Sequence, residues 1–585
     1  MLIIQENEKP FYKEVIKSII RNKSYLILIF LFIMLTSFMY FFVQFSVDKN
    51  LDRLDTITQY GGTLSEEQNA LLVALRSNAS LASTFLLCLL MISAFVIYLF
   101  YKHYFNQHQQ KIGIFKALGF KESSIIKAYV TCTFLFSVFA SLAGMFLGWA
   151  SSGVLLKAYT ASFGITDVTR GIHVIHIFYG VILVVIVLCV TTTLTCKTFL
   201  KKEAALLINK SDNKKENRVI AFVSDKITSI LPSKKQFPVR IALRKPITII
   251  LSILAVGAST SLLIMSVSLY MSSNKVYQSQ SAGHNYSFNI KFGETYQGKS
   301  GDYTDTLIYL ETPASIYIAN SNEPLLHQLV GLSETGDGLL ELYDKYSELL
   351  SIPENNGILI GPELQEIHGL NQGDIITLSI SGGSYSAVIA DVAVNAETNH
   401  IYMSRKQLAK WMGVAESSYN GLFSNNINST VTGTVITQEE RLSSLEKDAV
   451  SNKMSAVINQ LLGIVAGCIL IYLVLLLNFQ DSTKEMLTLD LLGYTPKEIN
   501  KMLISIYRPI FIVAFLLMIY PSIAICKEIH RSLSLQTGDY IPFQTNAFIL
   551  LGVFIIIQII YVLVEAAFTS KIKTMIRNET ARQYL

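Results

Sequence analysis

Eight separate stretches of this chain stay apolar for about 20 residues or more, and that feature limits what it can fold into more than any other. A helix rises about 1.5 Å per residue, so about 20 residues cross about 30 Å of hydrocarbon. The stretches lie near 24–46, 80–101, 128–150, 174–196, 247–270, 456–478, 504–526 and 546–568. In lipid each must satisfy its own backbone, which means a helix. Composition agrees: 16% of the 585 residues are charged, against about 25% in soluble domains. Disordered and disulfide-stapled secreted folds are thereby excluded. Cys88, Cys132, Cys189, Cys196, Cys468 and Cys526 all lie in or beside apolar runs, with no CxxC metal spacing. The first run is too long for a signal-peptide core and has no small-residue cleavage pattern after it, so it is expected to be retained.

An even number of spans puts both termini on one side, and lysine and arginine choose the side. Residues 1–23 carry Lys9, Lys13, Lys17, Arg21 and Lys23, 102–127 carries five lysines, and 197–245 carries thirteen basic residues against four acidic. Segment 273–455 has 10 basic and 21 acidic residues. The expectation is a cell-membrane, multi-pass protein with both termini, 102–127, 197–245 and 479–503 cytoplasmic and 273–455 extracellular. Phe11, Val15, Ile16, Ile19 and Ile20 line one face of an N-terminal helix, expected to lie on the inner leaflet in contact with lipid. Trp149 falls at the outer end of the third span, where interfacial aromatics belong. Gly144-x-x-x-Gly148 and Gly463-x-x-x-Gly467 suit close helix packing.

The chain also repeats itself. KIGIFKALGFKESSIIK (111–127) aligns without gaps on EMLTLDLLGYTPKEINK (485–501), with Leu118/Leu492, Gly119/Gly493, Ile125/Ile499 and Lys127/Lys501 identical. Ile112/Met486, Phe115/Leu489 and Phe120/Tyr494 stay apolar at helical spacing, giving a short amphipathic helix that either glycine can end. SIIRNKSYLILIFLFIML (18–35) likewise parallels IALRKPITIILSILAVGA (241–258). The fold class expected is an α-helical polytopic membrane protein with eight transmembrane helices in a 4+4 repeat and one α+β extracytoplasmic domain. Its parts are an amphipathic helix (1–23), a four-span module (24–199), a basic linker (200–245), a fifth span (246–272), the α+β domain (273–455), three further spans (456–570) and a tail (571–585).

This order of parts resembles the FtsX-like ABC transporter permeases of the MacB and bacitracin-permease (BceB) superfamily. Segment 357–413, from GILIGPELQEIHGL to RKQLAKWMG, is similar to their extracytoplasmic domain. The resemblance implies a non-catalytic permease subunit that handles a peptide or lipid-linked substrate at the outer face. Two copies of a separate cytoplasmic ABC ATPase, holding ATP and Mg, would drive it, and this chain would carry no cofactor. It further implies that Lys111, Ile112, Phe115, Leu118, Gly119 and Phe120, with Glu485, Met486, Leu489, Leu492, Gly493 and Tyr494, couple to that ATPase. The family's usual glutamate at the head of this helix is Glu485 in one module and Lys111 in the other. The alternative implied is mechanical signalling to an extracellular hydrolase or a sensor kinase. Nothing points to nucleic acid.

Other patterns are discounted. Gly293–Ser300 matches the P-loop expression, but a polar turn and a strand follow where a phosphate-binding helix is required. His173 and His176 have no carboxylate in pattern and read as an interfacial pair, not a metal site. Glu565 lies about a turn from the end of the last span and is expected to snorkel. No paired acids or nucleophile–base arrangement suggests an active site. In 273–455, YSFNIKF, DTLIYL, SIYIAN, DIITLSI, AVIADVAV and GTVIT read as strands, and GLLELYDKYSELL, GPELQEIHGL and RKQLAKW as helical pieces. The segment from Gln438 has no breaker before the sixth span, so one helix is expected there.

Overall fold

The computed structural model describes residues 8–20, 23–62, 64–208, 236, 239–240, 243, 246–298, 306–318, 324–333, 338–380, 382–426, 433–537 and 540–583. Arg21, Arg244, Lys215, Lys299 and Ser300 lie outside them. Helix α1 (Glu8–Ile20) precedes span 1, α2 (Lys23–Gln59), and span 2, α3 (Glu66–Gln107). After the short α4 (Gln109–Ala117) come span 3, α5 (Glu122–Ser151), a brief α6 (Gly153–Phe163), and span 4, α7 (Val174–Leu200). Helix α8 (Ala204–Ile208) opens the linker, and span 5 is α9 (Pro246–Ser281). A sheet unit with α10 (Pro362–His368) and α11 (Arg405–Met412) then leads to span 6, α12 (Gln438–Asp481). Short α13 (Thr483–Leu491) and α14 (Pro496–Leu503) precede span 7, α15 (Tyr507–Thr537), and span 8, α16 (Ala547–Gln583). Among the described residues, eight helices are long and apolar enough to cross a membrane.

The spans divide alike in the two modules. In their apolar stretches, 61% and 50% of residues are buried in spans 1 and 2, and 67% in both 5 and 6, against 28% in each of 3, 4, 7 and 8. The first two spans of each module are therefore the inner helices, and the last two present Phe139, Phe146, Leu516 and Leu551 outward. Gly144 and Gly148 explain how span 3 reaches span 1. A Cβ at Gly144 would stand 2.5 Å from Met34 O, and one at Gly148 2.8 Å from Phe42 N, so only glycine permits the approach.

Several helices outrun the length that hydrocarbon demands. The stretch 47–79 between the first two apolar runs is mostly the continuation of α2 and α3 around a turn, where Ser65 and Gln68 form a capping box. Val47, Leu54, Leu71, Leu75, Tyr159 and Phe163 give these extensions and α6 an apolar core of their own, here called the helical cap. Helix α1 differs from the expectation too. Val15 and Ile19 are buried against protein, and Tyr104 Oη donates to Ser18 Oγ at 2.8 Å, so these two apolar residues do not meet lipid headgroups, while the side chains of Phe11 and Ile20 lie outside the described residues.

The other compact unit comprises Ser268–Met454 and His530–Gln544. Its strands are β1 (Phe288–Gln297), β2 (Thr306–Tyr317), β3 (Leu325–Leu332), β4 (Gly357–Ile360), β5 (Ile375–Ile380), β6 (Gly383–Val392), β7 (His400–Ser404), β8 (Ser418–Ser424) and β9 (Thr434–Thr437). The order β3-β7-β4-β6-β5-β2-β8-β1-β9, with an added β2–β3 pairing, closes six strands into a ring and leaves β8, β1 and β9 as an extension. Leu310, Ile316, Leu329, Ile360, Leu378 and Met403 share one core with Leu364 of α10 and Leu408 of α11. DTLIYL and SIYIAN, read as two strands, are the single β2. Pro313 falls between its pairings to β8 and to β5, where the missing N–H costs no bond on that side.

GLLELYDKYSELL is not a helix. Leu340 bridges antiparallel to His284 and Tyr343 to Leu349, so the backbone is extended and bridged while Leu339, Leu340 and Leu342 enter a core. The Asp344 carboxylate meanwhile accepts the N–H groups of Tyr346 and Glu348, closing a turn. The inclusion of 530–544 was not foreseen. Arg531 Nε donates to Ile367 O at 2.9 Å, and Gln544 N to Ser268 Oγ at 2.9 Å. Two buried carboxyls in this unit diverge. Glu363 is pushed up to about 7 by burial, partly offset by the Asn399 N–H. Burial acts the same way on Glu397, but His400, Arg441 and His284 outweigh it and bring that group down to about 2.

Candidate coupling site

Spans 2 and 6 each end at one non-helical residue, His108 and Ser482, which occupy equivalent places in the repeat. Their backbones agree (φ −105°, ψ 20° and φ −98°, ψ 7°), and each launches a nine-residue helix, α4 or α13. The two breaks lie close together: His103 Nδ1 is 3.5 Å from Asp481 Oδ1, and Gln107 Nε2 donates to Gln480 Oε1 at 3.4 Å.

Both short helices close with the same cap. Gly119 and Gly493 sit at φ +86° and +88°, where a Cβ would be strained. Gly119 N–H donates to Lys116 O and Phe120 N–H to Phe115 O; Gly493 N–H donates to Asp490 O and Tyr494 N–H to Leu489 O. This pair of bonds is the Schellman arrangement, and the Phe115 and Phe120 rings, 6.0 Å apart, supply its apolar clasp. The cap leaves Leu118 and Leu492 at the tip, each 69% exposed.

The twelve residues marked out by the sequence separate into two sets. Ile112, Met486 and Leu489 are buried by the chain's own side chains, and Phe115, Phe120 and Glu485 are half-buried. Lys111, Leu118, Gly119, Leu492, Gly493 and Tyr494 are exposed. Leu489 is thus a packing residue, not a free anchor, whereas Leu491, not singled out before, is exposed beside Leu492.

The surroundings differ between modules. Lys116 Nζ donates to Leu200 O at 2.6 Å and Lys202 O at 2.9 Å, capping the end of α7, and pairs with Glu122 at 2.7 Å. Helix α8 crosses α4 at Gly113, where a Cβ would come within 2.8 Å of the Leu207 Cβ. The second module has Leu487 there, a contrast visible in the aligned sequences but unremarkable without the fold. The second module instead has α14, with Thr495 and Glu498 as its capping box, and a break before α15. Asn478 Nδ2 donates to Leu503 O at 2.9 Å, Tyr561 Oη to Ile504 O at 3.0 Å, and Ser505 Oγ to Glu565. Arg508 is 3.4 Å from the same carboxylate. Glu565 therefore does not snorkel; it is held by the groups around the break.

The discounted motifs resolve as follows. Gly293–Gln297 is part of β1, and Gly298 N bonds to Ser417 O, so the backbone is extended where a P-loop must curl around phosphate. His173 and His176 do meet carboxylates: His176 Nδ1 is 2.8 Å from Asp48 Oδ2, and His173 Nε2 is 2.9 Å from Asp52 Oδ2. These acids come from α2, too far away in sequence to form a local pattern. Among the described residues no His, Cys, Asp and Glu group is arranged to hold a metal.

No curated protein matches the chain. Two of its segments, 83–204 and 460–575, match the family model of the FtsX-like permease C-terminal domain, and each contains the break after its module's second span, the nine-residue helix and the Leu-Gly cap. Proteins of that family are non-catalytic, ABC-transporter-type membrane subunits that work with an ABC ATPase. Each of the two modules of this multi-pass membrane chain thus contains a segment similar to the FtsX-like permease C-terminal domain.

Proposed function

We propose that the chain is the membrane subunit of a MacB/BceB-like ABC system, acting on a peptide or lipid-linked substrate at the outer face of the membrane. Two copies of a cytoplasmic ATPase, which bind the ATP and Mg, dock on α4 and α13. Both termini are cytoplasmic and 273–455 is extracellular. The observation that carries this reading is the duplicated cap, which presents an exposed leucine at equivalent positions beyond spans 2 and 6. An exposed apolar side chain on a fixed turn is the kind of anchor a partner groove buries. Nucleotide-driven closure of the ATPases would then bias two packings of the inner spans.

The experiment has two arms. Gly338→Cys and Tyr385→Cys should react with an impermeant thiol reagent in intact cells and Lys215→Cys should not; labelling at 215 alone would reverse the orientation. The mass of the solubilised particle should equal one chain plus two ATPases. Two chains per particle would sink the pseudo-dimer.

A further inference from the structure

A cavity of about 630 Å³ runs between span 2 of the first module and spans 5, 6 and 7 of the second. Its wall on span 2 extends from Leu81 to Leu99, about 27 Å of helix and nearly the thickness of the hydrocarbon. The lining carries no charged side chain, and Thr84 and Ser261 bring its only hydroxyls. Met91, Leu254 and Ile525 belong to the lining and are exposed, so the slot opens sideways to lipid.

The repeat explains why the slot exists. Continued without a gap, the alignment of 18–35 on 241–258 sets Phe32, Met34, Leu35 and Phe38 of span 1 against Ala255, Gly257, Ala258 and Ser261 of span 5. The alignment of 111–127 on 485–501 sets Gly144 of span 3 against Met518 of span 7. The same positions touch in both modules, with sizes exchanged. Gly144 lies on Met34 in one, and a Cβ at Gly257 would be 2.3 Å from Met518 Cε in the other. At these positions span 1 carries large side chains, whereas span 5 carries small ones and leaves room.

We propose that this slot is a binding site for one acyl chain of a membrane phospholipid, whose headgroup stays outside. A dry apolar cavity of about 150 Å³ takes a six-carbon ring, so this one has room for roughly two dozen carbons. Without a cation in the lining nothing selects a phosphorylated head, and the most abundant chain fills the site by mass action. The site rests on the spans alone and not on ATPase docking.

The test uses the full-length chain in nanodiscs made with a phospholipid bearing a photoactivatable group in its acyl chain. Adducts should map to 81–99 and 251–265. Cys88 and Cys526, which also line the slot, should react several-fold more slowly with a membrane-permeant maleimide in lipid than after delipidation. Ala258→Leu, which restores the first module's Leu35, should lower slot adducts at least three-fold while adducts at outward-facing Leu551 and Ile555 persist, a sign that the bundle is intact. Equal slot labelling in wild type and variant, or cysteine rates indifferent to lipid, would overturn the site. Displacement of the phospholipid by equimolar polyisoprenyl phosphate would overturn the choice of occupant. No ATP enters the assay, so a failure here leaves the coupling reading untouched.

Discussion

The two modules are alike at one end and unlike at the other. Beyond spans 2 and 6 they share a break, a nine-residue helix, a Schellman cap and an exposed leucine. Between the first and second span, one module builds a helical cap around Val47, Leu71 and Tyr159, and the other builds a nine-stranded sheet unit. Inside the membrane they exchange which span is small. The duplicated modules have therefore diverged in the segments between their first two spans and in their intramembrane packing, while the ends beyond spans 2 and 6 keep one geometry, as a partner shared by both would require. If an identical ATPase serves both helices, only features common to both can carry the docking. Leu118 and Leu492 are common, whereas Lys111 and Glu485 are opposite in sign.

The largest expected effect tests that statement. Truncating a central anchor at a well-packed interface costs about 2 kcal/mol or more. Leu118→Ala with Leu492→Ala should cost about 2 kcal/mol at each helix, a loss of roughly thirty-fold in ATPase affinity at both sites. Copurification should fail for the double variant and fall toward one ATPase per chain for either single variant. Full occupancy in the double variant would mean that the shared tip is not the anchor.

The sheet unit, which only the second module has, should carry a pH dependence. Glu363 binds its proton up to about pH 7 in the fold and only to about 4.5 unfolded. The native state thus holds a proton that the unfolded chain has lost between those values. Its contribution falls as pH rises from 4.5 and levels off above 7, with a cost of about 3 kcal/mol at most. His284 and His327, pushed down to about 4 chiefly by burial, act oppositely, losing stability as pH drops from 6.5 toward 4. The difference between Glu363→Gln and wild type isolates the carboxyl. By hydrogen exchange of sheet amides in the whole protein, the variant should be the more protected at pH 8, and the gap should close by pH 5.

What the sequence disclosed follows from how local each signal is. Eight spans and the repeat rest on runs of apolar residues and on Leu-Gly pairs, which no tertiary contact is needed to read. Pro362 with Gly369, and Gly413 after Trp411, likewise bracket α10 and α11. Where a partner from afar decides the outcome, the reading stopped. Asp48 meets His176 across 128 residues, and Asn395 reaches Glu341 O and Tyr343 N in the stretch read as a helix. Of the residues marked out for coupling, periodicity gave the helix but not which apolar face turned inward, so Leu489 is buried while Leu491, not marked out, is exposed.

Intramembrane packing supplies a smaller effect whose sign should differ between modules. Gly144→Ala forces a Cβ onto Met34 O and should cost about 1–3 kcal/mol by overpacking. Gly463→Ala meets Leu262 at an ordinary 3.5 Å and should be neutral or stabilising by up to about 1 kcal/mol through helix propensity. Thermal unfolding in one detergent compares the two; equal losses would mean that the modules pack span against span alike.

The smallest effect expected is that of the charge at which the modules differ most. Lys111 is exposed, and among the described contacts it makes no ion pair. A rim charge contributes about 1 kcal/mol or less and acts mainly on association rate and its salt dependence. Lys111→Glu should therefore leave ATPase occupancy near wild type at about 0.15 M salt, where the Debye length is about 8 Å. Only at low ionic strength should the association rate change, and it should then resemble that of the second module's site, which has glutamate there already. Should the reversal instead abolish docking at the first helix while Leu118→Ala spares it, recognition would be electrostatic and specific to each module. The shared cap would then be a folding solution common to both helices rather than the feature that the ATPase reads.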